Sequence, residues 1–204
     1  IQWKENLLHT QALEKATLEA RYDTLRNQVN PHFLFNSLNT LLMLVSDNPV
    51  ASKYVESISE IMRYMLQSRD KDAVLLRDEL KIARDYVFIQ QSRFGDKLIV
   101  DFDVPEKYYH YAIPPLALQM LLENAIKHNV VSKEDPLFVN VYINDGKYIV
   151  IENTLKAKID KDPSTGVGLE NIQSRYRYLA GKDIVLKQET GMFVVMLPLF
   201  EKAI

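Results

Sequence analysis

The sequence predicts an α+β fold, in which an N-terminal helical hairpin precedes an α/β sandwich with a mixed sheet and helices on one face. Two observations support this prediction. Apolar residues recur at helical spacing through a first half that contains almost no glycine, whereas the second half alternates strand-like and helix-like segments. The composition changes near Phe94, so we predict a helical region over residues 1–94 and a second domain over residues 95–204.

The composition excludes several classes of protein. The chain has 204 residues, 47% of them apolar, which is enough for a buried core. Its formal net charge of -2 gives no long-range attraction to nucleic acid or to anionic lipid. No apolar run approaches the roughly 20 residues that cross a bilayer, so we expect any membrane anchor to lie in segments outside this chain. The lack of cysteine is compatible with a reducing compartment.

Two apolar stripes lie on either side of Pro31. The first has the 4-3-4 spacing of a helix that pairs with another helix, and it consists of Leu18, Tyr22, Leu25 and Val29. The second points to the opposite side and consists of Leu34, Phe35, Leu38, Leu41, Leu42 and Val45. Because proline bends helices, we predict one helix over residues 4–46 that bends at Pro31. One helix cannot bury both stripes, so we also predict a homodimer with a four-helix bundle.

Apolar spacing and turn residues predict the remaining elements. Two more helices are expected, one ending near Ser68 and one over residues 77–93. In the second half we expect strands Leu98–Val104, Leu137–Ile143, Lys147–Glu152, Ile184–Glu189 and Met192–Leu199, with helices from Pro114 to His128 and from Leu169 to Ala180. A polar loop is expected over residues 154–166.

His32 is the first candidate for chemistry. On the helix after Pro31 it shares an exposed face with Asn36, four residues on, away from the apolar stripe. A neutral imidazole is a good nucleophile, and an exposed one can be reached by a mobile domain. For an isolated histidine, a solvated surface residue without a role is the more common interpretation.

The helix near residue 124 carries the second candidate site. Asn124 and His128 share one face of an otherwise apolar helix, and Lys127 lies beside them. An amide oxygen is a suitable Mg²⁺ ligand next to phosphates, and lysine is a cation for phosphate oxygens. An ordinary helix with a polar face explains this pattern about equally well.

Two glycines form the third candidate site. Gly166 and Gly168 precede a predicted helix, so backbone N–H groups could approach phosphates closely there. A lone pair of this kind is weak evidence and is often only a tight turn.

These segments together resemble a known family. Residues 28–39, Gln-Val-Asn-Pro-His-Phe-Leu-Phe-Asn-Ser-Leu-Asn, closely resemble the phosphoacceptor box of the LytS-type sensor histidine kinases. The resemblance continues through Arg63-Tyr64, Leu76 to Glu79, Tyr86 and Gln91 to Phe94. Residues 121–129 and 164–172 resemble the N box and the second glycine box of the ATP-binding (GHKL) fold that these kinases share with Hsp90.

The resemblance implies a role for each candidate residue. His32 would take the phosphoryl group from ATP, and Asn124 would hold Mg²⁺. The remaining expected nucleotide-binding residues are Glu123, Lys127, His128, Glu152, Asn153, Gly166, Gly168 and Leu169. Asn36 would either place water for dephosphorylation of the response regulator or, since Phe33 stands where related families have an acid, orient the imidazole. We favour the first because His32 lies at the predicted bend, where backbone carbonyls freed by Pro31 could hold the imidazole.

One box departs from the family pattern. The family has an aspartate that reads adenine, followed by glycines, as DNGxG. Here Glu152 and Asn153 occupy the first two positions, and Thr154 and Lys156 stand where glycines would be. We therefore expect weak nucleotide binding, with Glu152 replacing the aspartate.

The implied function is a sensor histidine kinase region that binds Mg-ATP, phosphorylates itself on His32 and passes the phosphoryl group to a response-regulator aspartate. By resemblance the regulator is of the LytTR type, and the region lies in the cytoplasm as part of a protein anchored in the inner membrane. Two alternatives remain. One is an ATP-driven switch, although Met120 stands where Hsp90-like ATPases carry a catalytic glutamate. The other is a non-catalytic dimeric scaffold with a degenerate nucleotide site.

Overall fold

The computed structural model describes residues 31–156, 167–189 and 191–201. The chain divides into two compact units, Ile1–Pro49 and Val50–Ile204. In the first unit, the described part is helix α1, Pro31–Leu44, followed by a turn closed by a hydrogen bond from the Asn48 N–H to the Val45 carbonyl. Helix is therefore confirmed from Pro31 onward, whereas the predicted bend and residues 4–30 lie outside the described residues.

Two long helices begin the second unit. Helix α2 spans Pro49–Gln67, and helix α3 spans Leu76–Phe94. Both agree with the predicted helices to within a few residues. A short strand β1, Val74–Leu75, precedes α3 and pairs with β3, Ala112–Ile113, a small sheet that the sequence did not predict.

The unit boundary differs from the predicted one at Phe94. Leu76, Leu80, Ala83 and Val87 of α3 belong to the same buried cluster as the strands and helices of the second half. Because these side chains complete that core, α3 is part of the sandwich and not of an independent helical hairpin.

A five-stranded sheet forms the other layer. Its strands are β2 (Leu98–Asp103), β4 (Leu137–Asn144), β5 (Tyr148–Thr154), β6 (Val185–Glu189) and β7 (Met192–Pro198). They are arranged in the order β2-β4-β5-β7-β6, with β2 and β4 parallel and the other neighbours antiparallel. The predicted mixed sheet is confirmed.

The helices cover one face of this sheet. Helix α4, Ala117–His128, and helix α5, Val167–Ala180, join α3 in this layer. Alternate strand residues such as Val139, Ile151 and Leu197 are buried against them, whereas Ile99 and Phe138 on the opposite face are 41% and 42% exposed. The predicted α/β sandwich is therefore confirmed. Within the described ranges, no helix combines the length and the apolar character that crossing a membrane requires.

Candidate functional site

A cavity of about 410 Å³ lies between the helical layer and the sheet of the second unit. Its apolar wall includes Ile151, Phe193 and Val195, which project from the helix-facing side of β5 and β7. Its polar side includes the four predicted residues of α4, which are Glu123, Asn124, Lys127 and His128. The cavity is thus apolar on one side and rich in polar and ionisable groups on the other, as small-molecule sites commonly are.

Helix α4 aims its polar residues at this cavity because its opposite side is buried. Leu118, Leu122 and Ile126 lie in the core, which fixes the rotation of the helix about its axis. Asn124 is consequently half-buried at the cavity, while Lys127 and His128 in the last turn are exposed. The polar face of α4 therefore lines one side of the cavity.

The glycine box meets this helix in space. A Cβ atom built at Gly168 would lie 3.4 Å from Nδ2 and 3.7 Å from Oδ1 of Asn124. A side chain at position 168 would therefore fill the space beside the Asn124 amide. Gly168 and Leu169 both line the cavity, and both belong to the first turn of α5. Gly166 lies outside the described residues.

The same contact bears on whether a metal fits here. The described residues contain no group of three or more histidine, cysteine or acidic side chains that could hold a metal ion. Mg²⁺, however, commonly takes only one or two protein ligands and completes its shell with phosphate oxygens and water. The Asn124 amide, which lines the cavity next to Gly168, fits that role.

The structure corrects the expectation for Glu152. On β5, Asn153 and Ile151 project toward the cavity, so the intervening Glu152 projects from the opposite face of the sheet. There, Glu152 contributes to raising the pKa of Tyr142, although the larger cause is the partial burial of that phenol. Thr154 also lies away from the cavity, and its hydroxyl accepts a hydrogen bond from the Phe138 N–H.

Asn153 is the residue of this box that lines the cavity. It is 3% exposed, and its Nδ2 donates to the Thr154 carbonyl at 2.8 Å. Its amide oxygen can only accept a hydrogen bond, so it is the atom that would pair with a donor on a ligand. Strand alternation distinguishes Asn153 from Glu152, whereas resemblance to the DNGxG box favoured Glu152.

Asn129 is a site residue to which the sequence analysis gave no role. It is 2% exposed and lines the cavity just after α4. Its Oδ1 accepts the Lys156 N–H at 2.6 Å, and its Nδ2 donates to the Ala125 carbonyl at 2.7 Å. Asn129 therefore connects the end of helix α4 to the segment that follows β5 through hydrogen bonds.

His32 and Asn36 lie side by side on the exposed face of α1, as their spacing predicted. Nδ2 of Asn36 is 3.3 Å from both Nδ1 and Nε2 of His32. Because the two distances are equal, this amide does not select one ring nitrogen as its acceptor. The pair therefore touches without fixing a tautomer.

Comparison with known proteins shows which proteins this chain is similar to. The family described as "Histidine kinase" matches residues 20–98. "Sensor protein LytS" of Enterococcus faecalis is 34% identical over 197 residues, which cover 87% of this chain and 33% of that protein. "Sensor histidine kinase/phosphatase LytS" of Staphylococcus aureus is 30% identical over 193 residues, which cover 86% of this chain and 33% of that protein. The chain is homologous to the LytS-type sensor histidine kinases.

The chain spans about a third of the length of the curated proteins that it matches. Among solved structures, the histidine kinase domain of a blue-light activated histidine kinase from Erythrobacter litoralis has a TM-score of 0.46 and 14% sequence identity. That match covers 78% of this chain and 82% of the other.

Proposed function

We propose that this chain is the catalytic region of a sensor histidine kinase, which binds Mg-ATP in the cavity of the second unit and transfers the γ-phosphoryl group to His32. The observation that carries the proposal is the meeting of Asn124 with Gly168 at one cavity. Two motifs that the sequence separates come together there, and the same chain carries the phosphoacceptor box around His32.

The cavity offers a different environment at each end of a nucleotide. The wall of Ile151, Phe193 and Val195 suits a planar base, and the Asn153 amide oxygen is available to the exocyclic amine of adenine. On the polar side, Lys127 and His128 would contact phosphate oxygens. Mg²⁺ held by Asn124 would neutralise charge that develops on the phosphates.

In the proposed transfer, a ring nitrogen of neutral His32 attacks the γ-phosphorus. An N–P bond forms, the bond to the β,γ-bridging oxygen breaks, and ADP leaves. The ring proton passes to solvent. Catalysis consists mainly of positioning and charge neutralisation, so no protein group needs to form a covalent bond except His32.

The partners follow from the same proposal. The phosphoryl group would pass from His32 to an aspartate of a response regulator, which by family resemblance is of the LytTR type. The kinase would act as a homodimer through α1. We place the region on the cytoplasmic side of the inner membrane, joined to it by other parts of the protein.

Asn36 would act after the transfer. The amide touches the ring but does not select one nitrogen, which leaves His32 able to react. We propose that Asn36 places water for removal of phosphate from the regulator. The relative from Staphylococcus aureus is named a kinase/phosphatase, which supports looking for this activity.

The decisive experiment is incubation with γ-labelled ATP and Mg²⁺, followed by acid and base treatment of the protein. We expect label that is lost in acid and stable in base, as phosphohistidine is. His32→Gln should abolish it, whereas His110→Gln, at another exposed histidine, should leave it unchanged. Equal labelling of both variants would contradict the assignment of His32.

A second candidate function is a dimeric scaffold whose nucleotide site has decayed. The observation in its favour is that the adenine box presents a neutral amide, Asn153, and a carboxylate that points away, Glu152. Calorimetry with ATP and Mg²⁺ discriminates between the two, because a scaffold would show no binding heat at millimolar nucleotide.

A further inference from the structure

Glu79 is a buried carboxylate outside the cavity. It lies in the first turn of α3 and is 1% exposed. Its Oε1 accepts the Tyr64 hydroxyl at 2.6 Å, and no ion pair of Glu79 occurs within the described part of the chain. Because a buried charge is costly without strong hydrogen bonds, neighbouring donors must hold this group.

Those donors include backbone N–H groups at the start of helix α4, the helix that lines the cavity. The Leu116 N–H donates to Oε1 of Glu79 at 2.6 Å, and the Leu118 N–H donates to Oε2 at 3.2 Å. Helix α4 has no side-chain cap of its own, and Leu116 at its N-cap adopts the left-handed conformation, with φ of 63°. Glu79 therefore supplies the capping carboxylate that a local Ser, Asp or Asn usually provides.

Two helices thus meet at one carboxyl group. Tyr64 approaches it from α2, and the first turn of α4 approaches it from the other side. The rest of α4 runs directly to the cavity, where it carries Asn124 and Lys127. A helix is stiff along its axis, so a change at its first turn is passed to residues two turns away.

We propose that Tyr64 and Glu79 are positioning residues that link the placement of helix α2 to the nucleotide cavity. Withdrawal of the Tyr64 hydroxyl would leave Glu79 with fewer donors, loosen the first turn of α4 and shift the polar side of the cavity. The inference rests on the proposed function only in calling the cavity a nucleotide site; the link itself is a property of the fold.

The chain offers a matched control. Ser57 on the same helix α2 also donates its hydroxyl to a buried carboxylate on α3, Oδ1 of Asp85, at 2.9 Å. Lys53 reaches that carboxylate too, at 3.4 Å. The Asp85 contact joins the same two helices as the Tyr64 contact, but within the described part of the chain Asp85 makes no hydrogen bond to α4.

The test compares Tyr64→Phe with Ser57→Ala in the 204-residue chain. Amide hydrogen exchange should accelerate by about tenfold at residues 116–128 in Tyr64→Phe and stay unchanged there in Ser57→Ala. The dissociation constant for Mg-ATP should rise by about threefold to tenfold in the first variant only. Equal acceleration in both variants, or none in Tyr64→Phe, would overturn the link.

A second variant guards against a folding failure. Glu79→Gln keeps one acceptor oxygen, so it should show intermediate exchange at the start of α4, whereas Glu79→Ala should show the fastest. Exchange at residues 116–128 no faster in Glu79→Ala than in the wild type would overturn the proposal. If the wild-type chain binds no ATP, the proposed function fails, and the exchange comparison still decides whether the link exists.

Discussion

At the scale of single residues, the alternation of strand β5 decides which side chains face the proposed nucleotide site. Ile151 and Asn153 face the cavity, so Glu152 projects from the opposite face of the sheet. Glu152 therefore cannot replace the aspartate of the family motif, which would have to face the cavity. The amide of Asn153 offers an oxygen acceptor without charge. Its hydrogen bond to an exocyclic amine is weaker than that of a carboxylate.

This geometry makes a prediction for nucleotide affinity. Asn153→Asp should tighten ATP binding by about threefold to tenfold, because a charged acceptor strengthens the hydrogen bond. Glu152→Gln removes a charge one residue away on the opposite face, and we expect no change. Isothermal titration of both variants tests this, and tighter binding in neither would show that adenine does not contact this strand.

A buried hydroxyl gives a second prediction at this scale. Tyr176 is 0% exposed, and its Oη has no hydrogen-bond partner within the described ranges. Tyr176→Phe removes the desolvated hydroxyl while keeping the ring that packs on Phe200. The free energy of unfolding should rise by about 1 kcal/mol. Denaturant titration should give the opposite sign for Tyr64→Phe, because that hydroxyl is hydrogen-bonded.

Asn36 supports a third prediction. Asn36→Ala should leave autophosphorylation within about threefold of wild type, because the amide does not commit to one ring nitrogen. Removal of phosphate from the response regulator should fall strongly. Thr40→Ala is the control, since this residue lies one turn further along α1 and its hydroxyl donates to the Asn36 carbonyl rather than to the Asn36 side chain. Loss of autophosphorylation in Asn36→Ala would favour the orienting role.

At the scale of elements, the cap on α4 predicts how stability depends on pH. Burial is the main cause that raises the pKa of Glu79 from 4.5 to about 7, against the hydrogen bonds that lower it. Because the pKa of Glu79 is higher in the folded state than in the unfolded state, the folded state binds more protons than the unfolded state at pH values between about 4.5 and 7. Stability is therefore highest below about pH 4.5 for this group and falls as pH rises to about 7.

Comparison with Glu79→Gln isolates this effect. The difference in unfolding free energy between wild type and variant should change by the order of 3 kcal/mol from pH 4.5 to pH 7.5, with wild type losing stability. Tyr64 and Tyr176 face the same carboxyl, but burial holds the pKa of each far above this range. Asp78, which also acts on Tyr64, is present in both proteins, so its contribution to the free energy of unfolding cancels in the difference. Parallel pH profiles would contradict the raised pKa of Glu79.

The elements also show which parts of the fold could be predicted from the sequence. The long strands and helices were predictable because each shows a regular apolar period over many residues. The two-residue pair β1 and β3 was not, since such short strands have no period. The membership of α3 in the sandwich was missed because its buried side is visible in sequence, but the layer that covers it is not. The cap by Glu79 was equally hidden, as its partners lie far away in the chain.

At the scale of the whole molecule, the exposed apolar surface of α1 supports the proposed homodimer. Its sequence is rich in apolar residues, yet none of its side chains is buried in the single chain. Phe33, Met43 and Leu44 are 71%, 77% and 78% exposed. A soluble protein rarely leaves so much apolar surface on one element in water unless another surface covers it. A second copy, packed as a four-helix bundle, would cover it and would set two His32 residues on one assembly.

Adjacent positions of α1 provide the test. We expect light scattering to give the mass of two chains for wild type. Leu38→Glu places a charge in the apolar stripe and should raise the dimer dissociation constant by at least about a hundredfold. Asn39→Glu adds the same charge at the next, exposed position and should leave the dimer intact. If Leu38→Glu stays dimeric, the stripe is not the interface; if wild type is monomeric at high concentration, α1 has another partner.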